Sequence, residues 1–427
     1  MSLCDCWNAC ISLDAWVWII LGSAIGALLG LVTAKKVAMT AMPETVALFN
    51  GCGGMSSLLV ALAYAFDPSL LTDSTASFSN VLVGKISIVI SVFVGSITFT
   101  GSIVAMAKLK GWLSTPVWMQ SKIRHVINIA LSALSLVAIV ALLGGSGSEL
   151  WLLVASSALL GIGVTLPIGG ADMPVVISLL NSYSGVAAAA AGFVVESQLL
   201  IVAGAMVGAA GLILTQVMCD GMNRSLVSVL FGGALGSNSV ASGGGGGEYT
   251  NITSCSPEEC ALTLEAAERV VSVPGYGLAV AQAQHTLREV TRVLENADIE
   301  VTYAIHPVAG RMPGHMNVLL AESNVPYDEL KDLDEINSEF DRTDVAVVVG
   351  ANDVTNPNAR TDKSSPMYGM PILNVDKAKS VIVLKRSMAS GFSGVQNELF
   401  FLDKTNMLFG DAKDSIEGMI KEVRELN

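Results

Sequence analysis

A glycine motif in the second half of the chain has the spacing needed to bind a dinucleotide. Gly275 and Gly277 follow an apolar run at 269–273 and precede a segment that predicts a helix. The first glycine permits a tight turn, and the second lets backbone N–H groups approach a pyrophosphate at the helix N-terminus. The third position of this fingerprint is Val280, so helix and strand must pack differently from the usual motif. Its place between strand and helix favours a pyrophosphate site.

Three consecutive polar residues after a later β-branched run supply the chemistry that recognises a phosphate. Lys385 offers a point charge, Arg386 a bidentate fork and Ser387 a hydroxyl donor. Residues 305–311, which follow the strand after the glycine motif, contain no carboxylate that would repel a ribose 2′-phosphate. These features favour NADP over NAD as the ligand. The alternative is a solvated strand end without a ligand.

Polar side chains within apolar segments are the candidates for moving protons, because such groups are costly in a membrane. Asn50, Ser102, Asp172 and Asn181 lie within or at the ends of apolar segments. A hydroxyl can bond to its own helix, whereas an amide in hydrocarbon needs a partner elsewhere. We therefore expect a proton relay built from amide, hydroxyl and carboxylate groups together with water.

The first half of the chain consists of apolar runs close to the roughly 20 residues that cross a bilayer as a helix. Seven spans are predicted, at residues 15–34, 44–66, 82–107, 126–143, 151–170, 174–195 and 199–218. Two sets of glycines recur at every fourth residue, a spacing that favours close helix packing: Gly22, Gly26 and Gly30, and Gly204 and Gly208. Lys and Arg follow spans one, three and seven, so the positive-inside rule places the second half in the cytoplasm or matrix.

Composition divides the 427 residues into two parts and excludes several classes of protein. Only 14% are charged and 52% are hydrophobic, which excludes a single soluble domain and a disordered chain. Residues 1–219 hold 7 Lys/Arg and 8 Asp/Glu, whereas residues 220–427 hold 17 and 29. The acidic excess of the second part argues against nucleic acid as a partner. Cys4, Cys6 and Cys10 lack a fourth ligand at zinc spacing, so no metal site is expected.

The second part alternates strands and helices. We predict an N-terminal segment at 1–14, a transmembrane proton-conducting domain at 15–231, a Gly/Ser-rich linker at 232–254 and an NADP(H)-binding domain at 255–427. Strands are predicted at 269–273, 299–305, 345–349 and 380–384, with an edge strand at 407–408. Helices are predicted at 257–268, from the glycine motif to about 296, at 315–323 and at 411–425. This order predicts a membrane bundle followed by an α/β doubly wound, Rossmann-like parallel sheet.

These segments together resemble the β subunit of the proton-translocating NAD(P) transhydrogenases. The matching strings run in order along nearly the whole chain, at 169–176, 180–185, 274–277, 306–314, 350–353, 385–388 and 409–413. The resemblance implies hydride transfer from NADH to NADP+, driven by inward proton flow, with NADP(H) bound by this chain. It also implies an NAD(H)-binding α subunit, a dimer of α/β units, and about two further helices that this chain is expected to lack before residue 15.

The resemblance also implies roles for individual residues. The expected NADP(H) contacts are Gly275, Tyr276, Gly277, Val308, Ala309, Gly310, Arg311, Met312, Pro313, Gly350, Ala351, Asn352, Asp353, Val354, Gly369, Met370, Lys385, Arg386, Ser387, Met388, Gly391, Phe392, Asp411 and Ala412. Asp353, on the nicotinamide side, is the residue assigned to catalysis. The three residues from Lys385 would hold the 2′-phosphate, and residues 387–395 would form a lid. Asn50, Ser102 and Asn181 match the family's proton path, to which Asp172 is added for its place near a helix end.

Two positions depart from the family pattern, because some members have His at the position of Asn50 and Tyr is common at that of Phe392. The main alternative is a transporter or channel with an NADP-sensing domain and no hydride transfer, and a third is a structural subunit without activity. A soluble dehydrogenase is excluded by the membrane spans. The bacterial and mitochondrial inner membranes fit the sequence equally well.

Overall fold

The computed structural model comprises a helical part followed by a part built around one sheet. It describes residues 13–37, 41–66, 78–113, 115–116, 119, 123–144, 149–169, 172–232, 252–310, 314–363, 365, 367–388, 391, 393 and 395–426. Most of the predicted N-terminal segment and linker lies outside the described residues. The same holds for four predicted site residues, namely Arg311, Met312, Pro313 and Phe392.

Seven apolar helices follow one another among the described residues of the first part. They are α1 (Leu13–Lys36), α2 (Met42–Phe66), α3 (Phe78–Leu109), α4 (Ile123–Leu143), α5 (Leu150–Thr165), α6 (Met173–Val194) and α7 (Gln198–Gly221), with the short α8 (Leu226–Gly232) after them. Six are long and apolar enough to cross a membrane, whereas α5 has 16 residues. It ends before the predicted residue 170 because Pro167 has no N–H with which to continue the hydrogen bonds of the helix. The predicted membrane bundle is therefore confirmed, with one span shorter than expected.

Close backbone contact joins α6 and α7. A Cβ on Gly185 would overlap the backbone of Gly204 and Gly208, and both of those glycines face α6. Hydroxyls bridge the same interface, because Ser182 donates to the Gly208 carbonyl at 2.7 Å and Ser178 to the Gly211 carbonyl at 3.1 Å. Small residues therefore allow the two helices to approach and to form hydrogen bonds across their contact.

The other glycine series behaves differently. At Gly22, Gly26 and Gly30 in α1, no described atom outside the helix's own backbone lies within 4 Å of the position that a Cβ would take. None of the apolar window of α1 is buried within the described residues. The glycine spacing alone therefore does not identify a packed helix face, and α1 does not belong to the tight part of the bundle.

The second part, as far as the structure describes it, is built on one parallel sheet of seven strands. In chain order they are β1 (Thr253–Ser254), β2 (Arg269–Pro274), β3 (Glu300–Ile305), β4 (Leu330–Asp332), β5 (Val345–Val349), β6 (Ser380–Lys385) and β7 (Thr405–Phe409). Their order in the sheet is β1-β7-β6-β5-β2-β3-β4, and every pair is parallel. The direction of winding reverses between β2 and β5, which confirms the predicted doubly wound sheet.

Helices cover both faces of the sheet, as the unbroken apolar strands predict. They are α9 (Pro257–Glu265), α10 (Tyr276–Ala281), α11 (Gln284–Asn296), α12 (His315–Glu322), α13 (Leu333–Asn337), α14 (Asn358–Thr361) and α15 (Ala412–Leu426). In β5, Val345, Val347 and Val349 belong to one apolar cluster, and Ala346 and Val348 belong to the other. Successive side chains of a strand point to opposite faces, so β5 contributes to two cores at once.

Two local predictions about the sheet domain are wrong, and two short strands were missed. The strand at 407–408 is not an edge strand, because β7 extends over Thr405–Phe409 and lies between β6 and β1. The helix after the glycine motif is not continuous, because Gln282 adopts left-handed backbone (φ 50°) and separates α10 from α11. The two- and three-residue strands β1 and β4 were not expected, since runs this short carry too little periodicity.

Candidate functional site

The glycine motif lies where the winding of the sheet reverses. The N–H of Gly275 donates to the Val349 carbonyl at 2.9 Å, and the N–H of Gly277 donates to the Gly350 carbonyl at 3.0 Å. A Cβ on either motif glycine would overlap the backbone of Gly350 or Ala351. The two glycines thus allow the loops after β2 and β5 to touch through their backbones. Their N–H groups are used within the protein, unlike those of the usual pyrophosphate fingerprint.

The loop after β3 is fixed by a buried histidine. The N–H of Val308 donates to His306 Nδ1 at 3.2 Å, so Nε2 carries the ring proton and donates to the Pro371 carbonyl at 2.8 Å. Burial lowers the pKa of His306 to about 4, so the ring is neutral at neutral pH. His306 therefore ties the loop that carries Val308, Ala309 and Gly310 to the segment that contains Met370.

Acid is expected to loosen this loop. The pKa of His306 is about 4 in the closed loop against 6.5 when the ring is free, so only the open loop takes up a proton between these values. The closed state is fully stable above the higher value and loses about 1.4 kcal/mol per pH unit as the pH falls between the two. Hydrogen exchange of the full chain, corrected for intrinsic rates, should show faster opening at 306–310 as the pH falls. In His306→Gln, whose amide still donates, this dependence should vanish; a variant that keeps it would contradict the assignment.

The loops after β5 and β6 are joined through Asp353. Its carboxylate accepts the Ser393 N–H at 2.9 Å and the Ser393 hydroxyl at 2.8 Å. Asn397 Nδ2 adds a second link by donating to the Asn352 carbonyl at 2.9 Å. The predicted lid segment is therefore attached to the residue assigned to catalysis. Ser393 and Asn397 were not predicted as site residues, because their role depends on this pairing rather than on any local motif.

The three phosphate-binding candidates after β6 differ in their surroundings. Lys385 is half-buried, with Nζ 4.6 Å from the centroid of the Phe400 ring. Burial lowers the pKa of Lys385, and the nearby charge of Asp353 opposes that effect. Arg386 and Ser387 are both exposed. One cation is thus held in place by packing, while the other two side chains are open to a ligand.

The remaining described candidates lie on loops of the same edge or beside it. The Gly410 N–H donates to the Lys385 carbonyl at 3.3 Å, which places Asp411 and Ala412 next to the β6 loop. The side chain of Val354 packs on the core with Met388, Met370 packs with Met367 and Ile372, and Gly391 lies against Asp353 and Asn352. The structure therefore brings the β2, β3, β5, β6 and β7 loops to one edge, with Tyr276 and Gly369 on neighbouring segments.

A polar cluster links three helices of the bundle. Asn50 of α2 donates from Nδ2 to Ser102 Oγ of α3 at 3.0 Å, and its Oδ1 accepts the Ser184 hydroxyl of α6 at 2.7 Å. Asn181 lies one turn before Ser184 and is exposed. Two of the predicted proton-path residues thus touch each other, with Ser184 as an added partner, whereas Asn181 stands beside the cluster.

Asp172, the fourth proton-path candidate, forms an ion pair at the start of α6. Both of its oxygens accept bonds from Arg224 Nη1, at 3.0 and 2.9 Å. The Asp172 side chain is 6% exposed and that of Arg224 is 42% exposed, so the carboxylate is the buried partner. The sequence alone identifies Arg224 as a charged residue in the loop after α7. It gives no sign that this loop folds back on α6.

The end of α7 also contacts the candidate nucleotide loops. Asn223 Nδ2 donates to the Tyr368 carbonyl at 3.0 Å, next to Gly369. Val308 of the β3 loop packs against the apolar cluster that contains Met218 and Met222. Two loops of the sheet domain therefore meet the membrane helix that precedes Arg224. No sequence motif indicates this contact, which depends on how the two parts of the chain fold together.

Comparison with known proteins agrees with this architecture. The family model described as NAD(P) transhydrogenase beta subunit matches residues 4–422. A protein of Rhodospirillum rubrum named NAD(P) transhydrogenase subunit beta is 50% identical over 412 residues, which cover 96% of this chain and 88% of the relative. A protein of the same name from a designated strain of that species shows the same identity and coverage. The chain belongs to the family of NAD(P) transhydrogenase beta subunits.

Proposed function

We propose that this chain binds NADP(H) and couples hydride transfer between NADH and NADP+ to proton movement across a membrane. One observation carries the proposal: the loops at the C-terminal edge of the sheet contact the end of α7, through Val308 and the Asn223–Tyr368 bond. A nucleotide held by these loops lies next to the helix bundle. Family membership supports the same function and disfavours a transporter that only senses NADP.

The residues at this edge fit NADP(H). The exposed Arg386 and Ser387 offer a fork and a hydroxyl to the 2′-phosphate, and Lys385 adds charge beneath them. Because the N–H groups of Gly275 and Gly277 are already donated, we assign the pyrophosphate to the neighbouring loops instead. The full set of nucleotide contacts named in the sequence analysis, including Arg311, Met312, Pro313 and Phe392, remains part of the proposal.

The chain's own residues position the cofactor and exclude water. The bound nicotinamide supplies the chemistry, which is direct hydride exchange with a second nicotinamide. The Asp353 carboxylate on the nicotinamide side favours the cationic oxidised ring over the neutral reduced ring. Its bonds to Ser393 tie that charge to the lid segment, so closure of the lid and orientation of the carboxylate occur together.

The membrane part provides the proton path in this proposal. Asn50 cannot titrate, so the cluster conducts through hydrogen bonds and water rather than through a charged side chain. Asn181, exposed one turn away, lies beside the same route. The Asp172–Arg224 ion pair joins the start of α6 to the segment after α7. Arg224 directly follows Asn223, which contacts Tyr368 of the sheet domain.

Asn50→Ala is expected to slow proton-coupled transhydrogenation by about tenfold or more, because it removes the bridge between Ser102 and Ser184. The affinity for NADP should not change. The matched control is Asn128→Ala, which removes an amide that, within the described part of the chain, donates to the Gly163 carbonyl on the neighbouring helix. Rates are measured in sealed vesicles with and without an uncoupler. Equal coupled rates for the Asn50 variant and the parent chain would remove Asn50 from the path.

The assembly and location are also proposals. The chain acts with an NAD(H)-binding α subunit, and the family name of its relatives implies such a partner. We propose a dimer of α/β units in a bacterial or mitochondrial inner membrane. The basic loops after the first, third and seventh helices favour a cytoplasmic or matrix position for the NADP domain.

A single assay tests the function. Membranes that contain the chain and its NAD(H)-binding partner should reduce an acetylpyridine analogue of NAD with NADPH, at a rate that an uncoupler changes. Omitting the partner should abolish the reaction. Binding of NADP without turnover in the complete system would instead identify a sensor.

A further inference from the structure

Two cysteines lie side by side at the start of the sheet domain. The Sγ atoms of Cys255 and Cys260 are 2.8 Å apart, and neither forms a disulfide. A disulfide bond is about 2.05 Å long, so the sulfurs need to approach by less than about 1 Å. The proposed hydride and proton steps use neither thiol.

Local structure holds the pair in this arrangement. Cys255 continues β1, because its N–H donates to the Met407 carbonyl at 3.0 Å. Ser256 then caps α9 in a reciprocal arrangement with Glu259, which fixes the turn between the two cysteines. Cys260 lies on the first turns of α9 and is only 1% exposed in the core. Neither thiol can move far from the other while this cap is intact.

The pair is open to reagents from one side. Both cysteines line a surface cavity of about 150 Å³, together with Glu259, Thr263 and Asn406 among others. Cys255 is partly exposed, whereas Cys260 lies behind it. The bond with Cys260 lowers the pKa of the Cys255 thiol, while the same bond and burial raise that of Cys260. The outer sulfur is therefore the better nucleophile and the inner one the resolving thiol.

We propose that Cys255 and Cys260 form a redox-active dithiol that small disulfides oxidise to an intramolecular disulfide. The Cys255 thiolate attacks one sulfur of the small disulfide, forms a mixed disulfide and displaces one thiolate. Cys260 then gives up its proton and attacks the Cys255 sulfur, which releases the second small thiol. Two protein thiols lose two electrons and two protons, and one small disulfide becomes two thiols. The new bond clamps the end of β1, the first strand of the sheet domain, to α9.

The sequence permits a direct test on the full-length protein. The chain has no Lys or Arg between Arg224 and Arg269, so trypsin releases both cysteines, and no other cysteine, on the peptide 225–269. The purified chain is treated with oxidised glutathione, unfolded, alkylated with N-ethylmaleimide and digested. We expect a peptide that has lost two hydrogen atoms and carries no alkyl group, and that gains two alkyl groups after reduction. A peptide that remains doubly alkylated, or that stops at a stable glutathione adduct, would overturn the proposal.

Variants separate the two roles. Cys260→Ser should trap glutathione on Cys255, because the resolving thiol is gone. Cys255→Ser should leave Cys260 unreactive in the folded chain. The matched control is Cys219→Ser, which removes a buried thiol elsewhere and should leave disulfide formation unchanged. A disulfide between two chains would appear as a crosslinked dimer of peptides 225–269. If it forms as readily as the disulfide within one chain, it would also contradict an intramolecular pair.

Discussion

Replacing both Lys385 and Arg386 with alanine is expected to weaken NADP binding by about 100- to 10,000-fold and to leave NAD binding unchanged. Each cation contributes about 1.5–3 kcal/mol when it forms a charge-assisted hydrogen bond to phosphate. NAD lacks the 2′-phosphate, so its affinity for the chain does not depend on these two cations. Titration calorimetry of the purified full chain with each nucleotide measures the ratio of the two dissociation constants. The preference for NADP should then nearly disappear.

Single variants show whether charge or packing causes the loss. Arg386 is exposed, so Arg386→Ala removes a phosphate ligand without opening the core, and we expect about a tenfold loss. Lys385 packs over Phe400, so Lys385→Ala also tests the fold of the loop. The control is Arg424→Ala near the far end of α15, where the side chain pairs only with Glu289 among the described residues. If Arg386→Ala weakens NAD and NADP equally, these cations do not bind the 2′-phosphate.

The central strands β2, β3, β5 and β6 were predictable because they are rich in β-branched residues that the sheet buries. Residues 345–349 show this most clearly, since every one of them is buried and they alternate between two cores. The gathering of the candidate residues at one edge of the sheet was also predictable, because parallel strands all end at one edge and the polar segments follow those ends. This reasoning needs only local sequence and the general geometry of parallel sheets.

The connections within the site were not predictable. Gln282 interrupts a helix that its neighbours favour, because the tertiary fold there requires left-handed backbone. Ser393 and Asn223 have no motif, and each becomes important only through a partner 40 or 145 residues away. The amides of Gly275 and Gly277 illustrate the limit of motif reasoning. The spacing was right for a tight turn, but the structure uses these N–H groups to join two loops.

Gly185→Ala adds only one methyl group, but it is expected to disturb the packing of the helix bundle. The added methyl would overlap the backbone of Gly208, so α6 and α7 must move apart. Overpacking of this kind costs about 1–3 kcal/mol, and the Ser182–Gly208 bond across the interface would lengthen as well. Alanine alone favours a helix by about 1 kcal/mol over glycine, so a net loss must come from the contact. All six tryptophans lie at or before residue 151, and their fluorescence therefore reports unfolding of the membrane part. We expect a lower Tm by this measure.

The same substitution tests whether helix packing and proton conduction are linked. Ser184, which bonds Asn50, is the neighbour of Gly185, so displacement of α6 shifts one end of the polar cluster. Proton-coupled transhydrogenation should fall by about tenfold or more, while the dissociation constant for NADP stays the same. Gly26→Ala is the matched control, because it makes the same change in a membrane helix where the new methyl meets no described atom of another segment within 4 Å. If the two variants have the same Tm and coupled rate, the close contact of α6 and α7 does not set the geometry of the proton path.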